Sequence, residues 1–170
     1  KAMGDVQQFR KEMAAALASY QQALTLYRAI GDRLGEANVQ KAMGDVQQFR
    51  KEMAAALASY QQALTLYRAI GAKPSEANVL AELSRLHIDR DPTESQRLLA
   101  QALELHRSIN DRYGEGIDLH NYGVMLVLYG RGAEALPYLE RARAIFAELG
   151  LAEPVASTDQ WITKARGDGP

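Results

Sequence analysis

The sequence predicts an all-α fold of stacked helix hairpins, and three observations support this prediction. Residues 1–31 recur letter for letter as residues 41–71 of the 170-residue chain, which gives a repeat period of 40 residues. Within a unit the apolar residues fall at helical spacing in two blocks. Ala, Leu, Gln, Arg and Glu, which lose little side-chain freedom in a helix, dominate the composition. Repetition of this length is typical of solenoids, in which neighbouring hairpins bury each other's apolar stripes.

The second unit shows how a repeat is divided into two helices. Its apolar residues form one block over residues 39–46 and another over residues 53–70, both at steps of three and four. The polar residues 50–52 separate the blocks and predict a turn, and Gly71 supplies a left-handed stop. Each unit is therefore expected to be a hairpin of helix A and helix B, including the first, which is identical in sequence.

Two diverged units follow with similar punctuation. A pair of one large and one small residue recurs in helix A, as Met43-Gly44, Leu83-Ser84 and Tyr122-Gly123. Residues 91–94 offer a capping Asp, a proline in the first turn and a Glu three residues after the cap, so helix B of the third unit is predicted to begin there. Gly130 and Gly150 end the helices of the fourth unit, and Pro154 opens a last amphipathic stretch.

These signals predict a single repeat domain over residues 1–166. We expect repeats at about residues 1–34, 35–74, 75–112 and 113–150, a capping helix at about 153–166, and a disordered tail at 167–170. Because Lys1 falls inside what should be a helix A, the chain is expected to be a fragment of a longer protein. The first repeat then presents an uncapped apolar side, which predicts self-association between chains.

The unit resembles the tetratricopeptide repeat family in its longer, 40-residue variety. Gly44, Ala56 and Ala63 fall at the family's small positions and Tyr60 at its aromatic position, so helix backbones can approach closely while the tyrosine fills the gap. The third unit departs from the pattern, with Ser84 for glycine and no clear small residue near Gln96.

This resemblance covers the chain to about residue 150. It implies a right-handed α-solenoid of antiparallel helix hairpins with a C-terminal capping helix, in which a partner's peptide or helix binds the concave groove lined by the A helices. Repeats of this variety occur in bacterial signalling proteins and in spindle-orientation adaptors. The resemblance therefore implies a protein-binding fragment of a larger bacterial signalling or regulatory protein.

Carried over to this sequence, the resemblance also implies which residues line the groove. The candidates are Asn38, Lys41, Asp45, Gln48 and Phe49 in the second unit, Asn78, Arg85 and Asp89 in the third, and His120, Asn121 and Val124 in the fourth. Lys41 and Asp45 stand four residues apart, as do Arg85 and Asp89, so opposite charges can pair on one helix face. A solvated, salt-bridged face is the favoured interpretation, and a mixed-charge surface for a polar peptide is the alternative.

The apolar run over residues 124–129 is longer than packing within one repeat requires. It predicts either a hydrophobic anchor for a partner or a surface covered by the terminal helix. Since the capping helix follows directly in the chain, cover is favoured.

Other function classes find little support. Twenty basic residues against 21 acidic ones give no electrostatic reason to expect nucleic acid or an anionic membrane. Cysteine is absent, and the three histidines, His87, His106 and His120, lack metal-ligand spacing. Capping explains the carboxylates of Asp91 and Glu94. The sequence predicts a cytoplasmic protein that is not an enzyme, binds no metal or cofactor and does not span a membrane.

Two functional hypotheses remain. The first is the protein-binding module. The second is an engineered or recently amplified scaffold with no dedicated ligand, because identity over 31 residues exceeds what core packing demands.

Overall fold

The computed structural model describes the backbone of residues 2–167 and the side chains of residues 11–167. Over this range the chain forms only α-helices: α1 (Ala2–Ile30), α2 (Arg33–Phe49), α3 (Met53–Ile70), α4 (Lys73–His87), α5 (Pro92–Ser108), α6 (Arg112–Leu128), α7 (Gly132–Glu148) and α8 (Ala152–Arg166). The predicted all-α class is confirmed. Of the predicted tail, residues 168–170 lie outside the described part. The chain divides into two compact units, residues 1–72 and 73–170.

In the first unit, α2 and α3 form the predicted hairpin. The turn falls at residues 50–52, with Lys51 at a φ of 61°, and Gly71 ends α3 at a φ of 68°. The two helices cross closely at Gly44, where an added Cβ would lie 2.6 Å from the ring of Tyr60. The small and aromatic positions of the repeat therefore do what the sequence predicts.

The first copy of the repeated segment does not follow the prediction. α1 runs without a break from Ala2 to Ile30 and passes through residues 10–12, whose twins form the turn between α2 and α3. The expected hairpin over residues 1–31 is therefore wrong. A turn here would place a lysine in the left-handed region, which costs about 1–2 kcal/mol. In the second copy, α2 begins at Arg33, eight residues before the repeated segment, and its packing along α3 offsets this cost.

The second unit contains the hairpins α4–α5 and α6–α7, followed by α8. As predicted, Asp91 caps α5, since its carboxylate accepts a hydrogen bond from the Glu94 N–H at 3.0 Å and Pro92 occupies the first turn. α8 packs against α7 and contributes Ile162 to the buried core of this unit. No helix within residues 2–167 combines the length and apolarity needed to cross a membrane.

A pair of serines explains how the third repeat packs without the glycine of the repeat pattern. Ser84 Oγ donates to the carbonyl of Ser95 at 2.8 Å, and Ser95 Oγ donates to the carbonyl of Ser84 at 2.8 Å. Both side chains are fully buried. Ser95 is thus the small residue that the sequence analysis missed near Gln96, and reciprocal hydrogen bonds hold α4 and α5 together at their close approach.

Candidate partner-binding surfaces

The predicted polar face of α2 is tied to the core of its own hairpin. Lys41 Nζ lies 2.7 Å from Asp45 Oδ2, so the predicted ion pair is present. The hydroxyl of Tyr60 lies 2.8 Å from both Asp45 Oδ1 and Gln48 Oε1. Asp45 and Gln48 therefore orient a buried tyrosine as well as facing solvent.

Asn38 and Phe49 stand at opposite ends of α2. The Tyr67 hydroxyl donates to Asn38 Oδ1 at 2.7 Å, which leaves the exposed amide nitrogen available to a ligand. The Phe49 side chain is 63% exposed in the last turn. Of the predicted residues on α2, Phe49 offers the largest apolar contact area. The twins of these groove positions at residues 1, 5, 8 and 9 lie outside the described side chains.

The candidates in the third repeat are arranged differently from the prediction. Asn78 is exposed on α4. Arg85 pairs with Glu82, three residues earlier, whereas Asp89 lies beyond the end of α4 at His87. The expected pairing of Arg85 with Asp89 is wrong, because the helix ends before the i+4 position is reached.

Two candidates in the fourth repeat line a cleft beside α8. His120 and Asn121 border an open cavity of about 370 Å³, and the other lining residues are Ile117, Phe146, Glu153, Pro154 and Ser157. The cleft thus has an apolar side from α6 and α7 and a polar rim from α6 and α8.

Hydrogen bonds fix the state of the His120 ring. Burial lowers the pKa of His120, so the ring is neutral near pH 7. Its Nδ1 lies 2.9 Å from Thr158 Oγ1, and that hydroxyl donates to the Pro154 carbonyl at 2.7 Å. Since the hydroxyl proton is used, Nδ1 is assigned as the donor and Nε2 is left as an acceptor.

Val124, the last predicted candidate, is partly buried and packs with Val127 against the core that includes Ile162 of α8. This supports cover by the terminal helix over an anchor for a partner. Beyond that core, Leu128 and Tyr129 at the end of the run remain exposed.

A buried carboxylate that the sequence analysis did not single out fastens the α5–α6 junction. Glu115 is fully buried and accepts hydrogen bonds from Arg107 Nε at 2.8 Å, from Arg112 and from Arg141. Burial raises the pKa of Glu115, but the arginines outweigh it and hold this pKa below its usual range. A similar bond joins Arg28 Nε to Glu36 Oε1 at 2.7 Å in the first unit.

His106, the residue before Arg107 in α5, links two aspartates. Its Nδ1 lies 2.9 Å from Asp111 Oδ2 and its Nε2 lies 3.1 Å from Asp118 Oδ2. Burial lowers the pKa of His106, yet the hydrogen bond and charge of Asp118, together with Asp111, raise it above its ordinary value. Residues 32–36 and 111–115 share four of five letters, and this shared pattern is the sequence signal for the two junctions.

The buried charges are ion-paired within the fold, and the residues that the structure describes contain no group of three or more His, Asp or Glu side chains placed to hold a metal ion. The surfaces at α2 and at the α6–α8 cleft are therefore the candidates for binding.

Comparison with known proteins agrees with the helix-hairpin architecture. Residues 1–69 match the tetratricopeptide repeat family. The crystal structure of BtubC (BKLC) from P. vanneervenii is similar over 96% of this chain and 73% of that one, with a TM-score of 0.73 and 18% sequence identity. At this identity the likeness shows the fold alone. Among curated proteins, nothing matches the chain.

Proposed function

Because residues 1–69 belong to the tetratricopeptide repeat family, whose members are interaction modules, we propose that this chain binds a peptide or helix of a partner protein. In this proposal it serves as part of a larger bacterial signalling or regulatory protein. The surfaces of the A helices, α2, α4 and α6, make the contacts. The family is a non-enzymatic scaffold, which agrees with the ion pairing of the buried charges.

The cleft between α6 and α8 is the observation that carries this proposal. Its volume of about 370 Å³ lies in the range of protein ligand sites, about 300–1,000 Å³. Ile117 and Phe146 supply apolar contact, while His120 Nε2 and the carboxylate of Glu153 accept hydrogen bonds. This chemistry favours a partner side chain with an apolar body and a donor at its tip, such as tyrosine, lysine or arginine.

The exposed residues of α2 and α4 are proposed as additional contacts within their own units. Phe49 offers apolar area, and Asn38 and Asn78 offer amide groups. Lys41 and Asp45 neutralise each other, so they contribute orientation more than affinity.

The experiment is selection of peptides from a displayed random library against the whole chain. Ile117→Lys places a charge in the cleft, and we expect it to weaken the selected peptides at least tenfold, while Gln96→Lys, at an exposed site on α5 outside the proposed surfaces, serves as the matched control. Peptides that bind all variants equally, including charge reversals at Lys41 and Asp45, would contradict the proposal.

A scaffold without a dedicated ligand is the alternative, and the letter-for-letter repeat of 31 residues favours it. It predicts that the selection yields no peptide whose binding depends on the cleft or on α2. That outcome would replace the first proposal.

Self-association through the first repeat is also proposed, and the exposure of α1 supports it. Leu26 and Ile30 are 67% and 75% exposed, and several small residues of the same helix face solvent. Apolar surface of this kind on a repeat array favours contact between copies.

A further inference from the structure

We propose that two copies of this chain exchange their first helical segments. In this arrangement α1 of one copy pairs antiparallel with α1 of the other, so that residues 2–9 of each cover residues 13–23 of its partner. The inference deepens the proposed self-association and is independent of peptide binding.

The first observation is that a face buried in α3 is open in α1. In α3 the side chains of this face are 0–6% exposed: Ala56, Ser59, Tyr60 and Ala63. Their identical twins on α1 are not buried: Ser19 is exposed, and Ala16, Tyr20 and Ala23 are half-buried. The same residues therefore present a surface in one copy that is core in the other.

The second observation identifies what fits this surface. In the second copy it is covered by residues 41–49: Gly44 lies against the ring of Tyr60, and the amide of Gln47 lies 2.7 Å from Ser59 Oγ. The same nine residues stand at positions 1–9 of every chain. A second copy thus carries the segment that is complementary to the open face.

The third observation is that α1 cannot supply this segment to itself. At a rise of about 1.5 Å per residue, residues 4 and 20 of the continuous helix lie about 24 Å apart along its axis. Their twins, Gly44 and Tyr60, are in contact. Because residues 10–12 are helical in α1, a second chain is needed to bring the two surfaces together.

Symmetry makes the exchange geometrically simple. In the second copy, each contact joins one residue before and one residue after residues 52–53, at nearly the same number of positions from them in the sequence. Two straight α1 helices crossing near residues 12–13 on a two-fold axis reproduce these contacts twice, as closed dimers do. The C-terminal part of α1 keeps its own partner, since Tyr27 lies against Gly35.

The test uses the absence of cysteine from the chain. One preparation carries Gln7→Cys and a second carries Ser19→Cys, and the mixture is treated with a short bifunctional thiol reagent. Each chain then holds a single thiol and cannot be linked internally, so the exchange predicts a cross-link that joins one chain of each variant. The matched control mixes Gln47→Cys with Ser59→Cys, whose contact lies within one chain, and is expected to give no such product.

The oligomeric state separates the possible failures. Sedimentation across a concentration series is expected to show a dimer, and Gly4→Ala is expected to weaken it at least tenfold, because the twin position has no room for a Cβ. A dimer that forms without the cross-link between the two variants would overturn the exchange and keep self-association. A monomer at every concentration would overturn both and leave peptide binding untouched.

Discussion

Residues 11–31 and 51–71 have the same sequence, but their first two residues adopt different structures. In the first copy, residues 11 and 12 continue a helix that began at Ala2, whereas in the second copy residues 51 and 52 lie in a turn. From residues 13 and 53 onward the two copies agree. Both are helical and both helices end at a glycine with positive φ, Gly31 at 73° and Gly71 at 68°. The comparison shows that local sequence fixes the stop at the end of helix B. Packing against a neighbouring helix decides whether the turn before helix B forms.

The largest expected difference between the copies lies at the close helix crossing. Gly44→Val places side-chain atoms against the Tyr60 ring and should destabilise the α2–α3 hairpin by about 2–3 kcal/mol. Gly4→Val should change the stability of the dilute chain by less than about 0.5 kcal/mol, because the straight α1 holds residue 4 about 24 Å from residue 20 along the helix axis. Hydrogen exchange of the α3 amides reports the first effect. Equal losses for both variants would show that the copies fold alike.

The turn residue should respond with opposite signs in the two copies. Lys51→Gly relieves a left-handed lysine and should stabilise the hairpin by about 1 kcal/mol. Lys11→Gly places glycine inside α1 and should destabilise this helix by about 1 kcal/mol. Urea unfolding followed by circular dichroism measures both, and changes of the same sign would contradict the comparison.

The tyrosine hydroxyl sharpens the comparison at a smaller scale. Tyr60→Phe removes a hydroxyl within 2.8 Å of Asp45 and Gln48 and should cost about 0.5–1.5 kcal/mol. Tyr20→Phe changes a half-buried twin in α1, and its cost in dilute solution should be smaller. A larger cost at Tyr20, measured by the same unfolding assay, would argue against the open face.

The smallest expected effect concerns His106. It occupies, in the second compact unit, the repeat position that Tyr27 and Tyr67 hold in the first. The pKa of His106 is raised in the folded chain, so its contribution is fully present below the ordinary histidine pKa and is lost as pH rises through the folded pKa. His106→Tyr should flatten this decline in unfolding free energy. The lowered pKa of His120 acts in the opposite sense, so His120→Asn is the control.

What the sequence could predict was local. The cap at Asp91, the glycine stops, the turn at residues 50–52 and the Lys41–Asp45 pair each depend on residues a few positions apart, and all are present. The family resemblance likewise gave the all-α hairpin architecture, because the small and aromatic spacing repeats in register.

What the sequence could not predict depends on partners distant in the chain. Glu115 collects three arginines from three helices, and the serine pair of residues 84 and 95 replaces a glycine contact by hydrogen bonds. The straight α1 is the clearest case, since no difference within the repeated segment distinguishes it from its twin. For the candidate site, the cleft required the position of α8 relative to α6.

Distances between spin labels test the central claim most directly. One chain carries labels at residues 5 and 22 and another at the twin residues 45 and 62, each diluted in excess unlabelled chain so that only distances within a chain are recorded. The straight α1 predicts backbone sites about 26 Å apart for the first pair. The α2–α3 hairpin predicts sites about 10 Å apart for the second, the spacing of packed helices. Equal short distances for both pairs would show that the first copy folds into the same hairpin and would contradict the account.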